Sequence, residues 1–451
     1  MPRPSHALPP NAAGARRRFR WLLWGAVLLL LLWVPLTTGL RFPAKMDEAS
    51  YHLPNVARFL DHFPTLEELR ATDLSMLPLF HGALAQAARL TGAGLPALRG
   101  WMMSIGLLAL CGYALLARHA CGAPPTRSAL ALAAFPYFGV CYFTLMTDYP
   151  AFLALVAALL GQVDYLIGRR ARGLWLAAFG GLLACLIRQN LIVFSGVFAL
   201  LVAISHLGRG GLPRPIPRIP PPWVIAALVL PFVGLGFQLL LWDGLLPPAY
   251  MARQGYFRFD LATYLLALLS TAANVGYYLI PAALADALHR RTGLRLRTAG
   301  ILLLLTLGGC GAAYALRGAF LVNTYGTFKH ALDFTGAHAG LPARLLLYAA
   351  ALAAFLWLVY RVLARLRAAR GGDPGNLLLP LLFAASWVVL AFGLARIYER
   401  HILPLYALGV LVLQQTQGEE ADARLPALGW LGVALFGAAH GVLYAITVYE
   451  L

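Results

Sequence analysis

The chain alternates long apolar runs with short polar segments along almost its whole length. A membrane-spanning α-helix needs about 20 predominantly apolar residues, and most of the runs approach or exceed that length. Runs such as AVLLLLLWVPL lack the period-2 alternation of a membrane β-barrel strand. We therefore predict an all-α polytopic membrane protein with about thirteen transmembrane helices. The predicted spans are 21–40, 99–117, 128–146, 150–168, 173–187, 191–207, 223–242, 263–285, 298–316, 342–360, 376–394, 401–414 and 427–447.

One apolar stretch, GLWLAAFGGLLACLIRQNLIVFSGVFALLVAISHL, fits either a single very long helix or two antiparallel helices. Its flanks, RRAR and GRGGLPRPIPR, are both basic, and loops rich in Lys and Arg stay in the cytoplasm. A single crossing would place one of them outside. We predict a hairpin that turns at Arg188, Gln189 and Asn190, with Arg188 just within the outer leaflet, facing protein or a water-filled cavity.

Charge then orients the chain. The residues 1–20 carry several arginines and are predicted to be a basic cytoplasmic segment. The formal net charge of +18, from 36 basic and 18 acidic residues, reflects loop anchors rather than a nucleic-acid surface. We divide the rest into a transmembrane module at 21–242, which includes a long outer loop at 41–98, and a carboxy-terminal transmembrane module at 243–451. The outer loop has helical patterns near 47–60 and 79–91 that suit the membrane interface.

Several ionisable residues lie where the predicted spans end on the extracytoplasmic side. Because carboxylates and arginines gathered at one membrane face indicate a site rather than a solvated rim, we consider them together. They are Asp47, Glu48, Asp148, Arg188, Lys329, His330, Arg396, Glu399 and Arg400. Some of these residues also fit purely structural roles. Asp47 and Asp148 are good helix N-caps, and Arg396 and Arg400 can pair with Glu399 as anchors at the membrane interface.

Three short stretches carry a resemblance to a known family. The segment DEASYHLPNVARF opens the long outer loop, Asp148 lies in the tight turn TLMTDYPAF, and ERHILPLY occurs late in the chain. Together they resemble the GT-C superfamily of membrane glycosyltransferases, which use sugars linked to polyprenyl phosphates. The first stretch is most similar to the dolichyl-phosphate-glucose α-1,2-glucosyltransferase family, then to the protein O-mannosyltransferase and aminoarabinose-transferase-like families. LIRQNLIVF resembles an Arg-Gln-Thr-Asn-Ile run of the first of these, with one residue missing.

The resemblance implies an inverting sugar transfer from a polyprenyl-phosphate donor to a hydroxyl of a lipid-linked or cell-envelope glycan, at the extracytoplasmic face of the inner (plasma) membrane. Asp47 is the expected general base, with Glu48 orienting it or the acceptor. Arginine binds phosphate oxygens through its planar fork. The expected phosphate ligands are Arg188, Arg396 and Arg400, with Lys329 and His330 as further candidates.

Other polar residues are expected to contact substrate: His52, Asn55, Gln189, Asn190 and Glu399. For His52 and Asn55 the alternative is the polar face of an interfacial helix. Asp47 and Asp148 are candidates to hold a divalent cation, Mg²⁺ or Mn²⁺. Two other functions stay open: a transporter or lipid flippase, which predicts internal repeats and charges near the midplane, and an assembly subunit without activity.

Overall fold

The structure is a computed structural model. It describes residues 10–44, 47–122, 124–168, 170–206, 221–254, 260–290, 296–317, 324–325, 327–368, 374–392, 397–417 and 424–449. This described part is almost entirely helical. Its strands are a two-residue parallel pair, Thr324–Tyr325 beside Ile397–Tyr398.

The amino-terminal half contains eleven α-helices in the described ranges, a π-helical turn and a 3₁₀ turn. They are α1 (Pro10–Thr38), the π-turn (Glu48–His52), α2 (Leu53–Arg58), α3 (Leu66–Arg70), α4 (Leu79–Thr91), α5 (Leu95–Cys121), α6 (Pro125–Ala134), α7 (Pro136–Cys141), α8 (Asp148–Leu166), α9 (Ala171–Ile187), the 3₁₀ turn (Gln189–Leu191), α10 (Ile192–His206) and α11 (Pro222–Trp242). The helices expected near 47–60 and 79–91 are thus present.

The carboxy-terminal half continues in the same way. Its helices are α12 (Pro248–Gln254), α13 (Leu261–His289), α14 (Leu296–Arg317), α15 (Thr327–Ala368), α16 (Pro374–Phe392), α17 (Glu399–Gln417) and α18 (Arg424–Tyr449). Within α15 the backbone at Gly340 has φ +77° and ψ 179°. Glycine adopts this conformation without a Cβ clash, so α15 is two helices joined at a break.

Seven helices of the described part are long and apolar enough to cross a membrane: Leu95–Cys121, Asp148–Leu166, Gln189–His206, Pro222–Trp242, Leu261–His289, Thr327–Arg367 and Pro426–Ile446. Large apolar side chains on their outer surfaces are exposed, among them Leu240 and Leu346. Helices that are apolar on their exposed faces suit a lipid environment, so the chain has the character of a polytopic membrane protein. The count of thirteen spans stays a prediction.

The predicted span 128–146 is wrong as a single helix. The structure has two short helices there, α6 and α7, which meet at Phe135 and Pro136. Proline has no N–H to donate and its ring clashes with the carbonyl four residues earlier. The chain leaves helical structure after α7 and turns through Thr144, whose hydroxyl donates to the Cys141 carbonyl, before α8 begins.

The predicted hairpin is confirmed. Helix α9 ends at Ile187, Arg188 is extended with φ −142° and ψ 102°, and α10 begins at Ile192. The two arms lie side by side, because a Cβ at Gly181 of α9 would meet the Ser195 hydroxyl of α10. The chain therefore reverses at Arg188.

Small residues bring α8 and α9 unusually close together. A Cβ at Gly161 would collide with the backbone of Gly173 and Ala177, and one at Gly180 would collide with the backbone of Ala158. In membranes, such small residues allow close helix approach and drive association by van der Waals contact. This antiparallel packing puts the first residue of α8 beside the last turn of α9.

Candidate active site

Three helix ends meet around one cavity. The cavity has a volume of about 340 Å³, counting its open mouth. Asp148 begins α8, Arg188 follows α9, and Arg400 is the second residue of α17. The lining residues are Asp148, Ala151, Phe152, Arg188, Asn190, Leu191, Arg400, His401, Leu403 and Pro404. The lining therefore combines charged and apolar side chains.

Asp148 and Arg188 form a buried ion pair at this cavity. A nitrogen of the Arg188 guanidinium, Nη2, lies 2.9 Å from each Asp148 carboxylate oxygen. The same nitrogen lies 3.2 Å from the Thr147 hydroxyl, and the Tyr137 hydroxyl donates to the Asp148 carboxylate at 3.1 Å. The Asp148 side chain is therefore not a helix cap but a partner of Arg188. The Nε of Arg188 is buried and has no hydrogen-bond partner in the described ranges.

Asp47 pairs with Arg400, although the two residues are 353 positions apart in the sequence. The Asp47 carboxylate contacts the Arg400 guanidinium, and the Asp47 side chain stays 29% exposed. Asp47 precedes the π-turn in helical conformation and its side chain makes no capping hydrogen bond, so the N-cap alternative is wrong. Arg400 reaches the cavity directly, and Asp47 is attached to the cavity through it.

Glu48 is engaged in a structural ion pair rather than open to substrate. Both of its oxygens accept from Arg99, at 3.0 Å from Nε in one case, and the Leu145 backbone N–H donates at 3.1 Å. Arg99 also donates to the carbonyls of Leu40 and Phe42, and both charged side chains are buried. The catalytic role expected for Glu48 does not fit this geometry: Glu48 anchors the start of the outer loop to α5.

His52 is buried against a second histidine that the sequence analysis did not single out. His52 Nδ1 lies 2.7 Å from His81 Nε2, and the rings are stacked at 5.1 Å. Burial first, and then the nearby Arg188 guanidinium, lower the pKa of His81 to about 4. The pKa of His52 is also well below its ordinary value, through burial, His81 and Arg188. Because His52 is buried, the interfacial-face alternative is wrong for it.

The other residues predicted to contact substrate lie in different surroundings. Asn190 lines the cavity, whereas the Gln189 amide bridges two loops by donating to the carbonyls of Ser75 and Leu245. Asn55 donates to the backbone of its own helix at Tyr51.

Lys329 and His330 do not line the cavity. Lys329 pairs with Asp333 one turn away, and His330 is exposed. Arg396 and the side chain of Glu399 lie outside the described residues, so their roles stay predictions.

The candidate cation ligands do not fit a divalent ion as they are arranged. Asp47 and Asp148 each face a guanidinium group, which takes the place that a cation would need. In the described part of the chain, no group of three His, Cys, Asp or Glu residues lies close enough to hold a metal. Mg²⁺ prefers several oxygen ligands in octahedral geometry, and Asp47 and Asp148 in this arrangement do not supply them.

Tyr137, His81 and Arg99 are site or support residues that sequence reasoning missed. Arg99 had a signal, because it stands at the first position of a predicted span, where an arginine needs a partner. Tyr137 and His81 sit among apolar residues, and only the packing brings them to Asp148 and His52.

Comparison with protein-family models, with curated proteins and with solved structures found no match to this chain.

Proposed function

We propose that the protein is an integral-membrane glycosyltransferase that moves a sugar from a polyprenyl-phosphate donor to an acceptor hydroxyl. One observation carries the proposal: Arg188, paired with Asp148, and Arg400, paired with Asp47, line one cavity that apolar side chains line as well. A lipid phosphate ester needs both halves of such a lining. Its phosphate pairs with guanidinium groups, while its hydrocarbon stays in contact with apolar side chains and the bilayer.

Arg188 and Arg400 are suited to the leaving group. When the bond between the anomeric carbon and the phosphate oxygen breaks, its electron pair leaves with a phosphate monoester. Charge builds on the phosphate oxygens, and fixed guanidinium groups stabilise that charge.

Asp47 is suited to the acceptor. The acceptor oxygen attacks the anomeric carbon, a new C–O bond forms, and the hydroxyl proton passes to the Asp47 carboxylate. Direct displacement of this kind inverts the configuration of the anomeric carbon. Asp148 is held by Tyr137 and Arg188 and serves to fix Arg188 rather than to accept the proton. Acceptors of the expected class are hydroxyls of lipid-linked or cell-envelope glycans.

The expected orientation puts the cavity on the extracytoplasmic side of the inner membrane. Arg170 and Arg172 lie at the opposite end of the α8–α9 pair from Asp148 and Arg188, near Asp164. Short loops rich in arginine face the cytoplasm, so the cavity end faces away from it.

The test is the substitution Asp47→Asn, assayed in membranes supplied with radiolabelled polyprenyl-phosphate sugars. Loss of a general base lowers the rate by about 10²–10⁴-fold. Asp61→Asn, an identical change at an exposed position of the same loop, is the control and keeps the parental rate. Transfer at the parental rate by Asp47→Asn excludes Asp47 as the base, and no transfer by the parent protein from any such donor contradicts the proposed function.

A further inference from the structure

We propose that Arg400 exchanges partners when the donor binds, leaving Asp47 for the phosphate and thereby releasing Asp47 to act as the base. This inference rests on the proposed function and adds a coupling between donor binding and base activation. In the structure, Arg400 both contacts Asp47 and lines the cavity. It is therefore placed to reach either partner.

Arg188 is held too firmly to make the same exchange. Its Nη2 contacts both Thr147 and Asp148, and the Asp148 side chain is only 6% exposed. Removing one member of a buried ion pair leaves a desolvated charge behind, which is strongly unfavourable. Arg188, which lines the cavity, thus receives the phosphate in place.

The Asp47–Arg400 pair is the easier one to open. The Asp47 side chain is 29% exposed and the Arg400 side chain 18%, so water can solvate the Asp47 carboxylate once the arginine has moved. A phosphate group offers more charge than one carboxylate and accepts a bidentate guanidinium contact. The incoming phosphate therefore competes well for Arg400.

The exchange has a chemical consequence. A carboxylate next to a guanidinium attracts a proton weakly, because the positive charge favours the ionised form. Once Arg400 has moved to the phosphate, Asp47 becomes a better proton acceptor. The base is activated only when a donor is bound, which limits unproductive chemistry in its absence.

The experiment measures binding without turnover. Purified protein is titrated with a polyprenyl phosphate and, in parallel, with the polyprenol of the same length, which lacks the charged group. Asp47→Asn removes the carboxylate that competes with the phosphate for Arg400, and we expect this variant to bind the phosphate about fivefold or more tightly, the lower end of usual couplings between linked events. The affinity for the polyprenol stays unchanged. In an Arg400→Gln background, Asp47→Asn gives no gain.

Three results overturn the exchange: no gain in Asp47→Asn, a gain that persists equally in Arg400→Gln, which is simple charge repulsion, or an equal gain for Asp61→Asn. If Arg400→Gln does not fold, Arg400→Met keeps the apolar stem without the charge and serves the same comparison. The two proposals fail separately. Loss of transfer in Asp47→Asn without a binding gain removes the exchange alone, and a parent protein that does not bind the polyprenyl phosphate removes both.

Discussion

Arg188 Nη2 lies 2.9 Å from the Asp148 carboxylate. Asp148 begins α8 and Arg188 follows α9, and these two antiparallel helices pack with their backbones in close contact. The contact follows from the close approach of α8 and α9 at Gly161, Gly173 and Gly180, rather than from the loop that contains Arg188. The geometry of the charged pair is therefore a property of the helix interface.

A larger side chain between α8 and α9 should separate Arg188 from Asp148. Gly180→Leu places a side chain where even a Cβ collides with the backbone of Ala158. Overpacking of this kind costs about 1–3 kcal/mol, and the displaced α9 carries Arg188 away from Asp148. We expect a lower melting temperature in detergent and loss of polyprenyl-phosphate binding. The control is Gly236→Leu on α11, where a Cβ meets nothing within 4 Å; equal loss in both variants contradicts the prediction.

The Glu48–Arg99 pair should dominate the stability of the outer loop. Glu48→Leu or Arg99→Leu each leaves an opposite charge buried, and removal of one partner costs about 3–5 kcal/mol. The double variant Glu48→Leu/Arg99→Leu removes both charges and should be less destabilising than either single change. Thermal unfolding of the three purified variants measures this. Additive losses in the double variant would show that the charges are not coupled.

Tyr137 should tune Arg188 through Asp148. Tyr137→Phe removes only the hydroxyl that donates to the Asp148 carboxylate, and a hydrogen bond to a charged group contributes about 1.5–3 kcal/mol. We expect slower transfer and a lower melting temperature. Tyr165→Phe, near the opposite end of α8, is the matched control and retains the parental rate. A Tyr137→Phe enzyme with parental kinetics would show that Asp148 needs no help to hold Arg188.

The His52–His81 pair predicts a loss of stability in acid. The folded state holds both imidazoles neutral, with the pKa of His81 near 4 instead of the ordinary 6.5, so below pH 6.5 the unfolded chain binds more protons. Stability therefore falls as the pH drops from 6.5 towards 4, by about 1.4 kcal/mol per pH unit for each histidine. Melting temperatures measured across this range provide the test.

His81→Phe keeps a ring of similar shape but has no proton to gain, so its melting temperature should fall less steeply with acid. His119→Gln, at an exposed position, should follow the parent. If the melting temperatures of His81→Phe and the parent fall equally with decreasing pH, the acid sensitivity belongs to other groups.

Sequence alone predicted the helices and the reversal at Arg188 because both follow from local rules. Apolar length predicts a span, and two basic flanks cannot lie on opposite sides of the membrane without violating the charge bias. The break before Pro136 was equally local and was overlooked, since apolar length alone was applied to residues 128–146.

Partners across the chain were beyond those rules. Nothing in the pattern around Glu48 shows that its carboxylate meets Arg99 rather than a substrate, because the choice depends on how α5 packs against the outer loop. Likewise, His81 looks like one polar residue in an apolar helix until packing brings it to His52. Asp47 and Arg400 were predicted as members of one site, but their direct pairing depends on the placement of α17.

The burial of Glu48 also orders the assembly of the chain during synthesis. Its carboxylate is neutralised by Arg99 and receives a hydrogen bond from the backbone of Leu145, and both residues leave the ribosome well after it. Until they arrive, the segment that begins at Asp47 cannot settle against the bundle. A nascent chain stopped before Leu145 should therefore carry an undocked outer loop, open to proteases, that closes only after further helices have inserted.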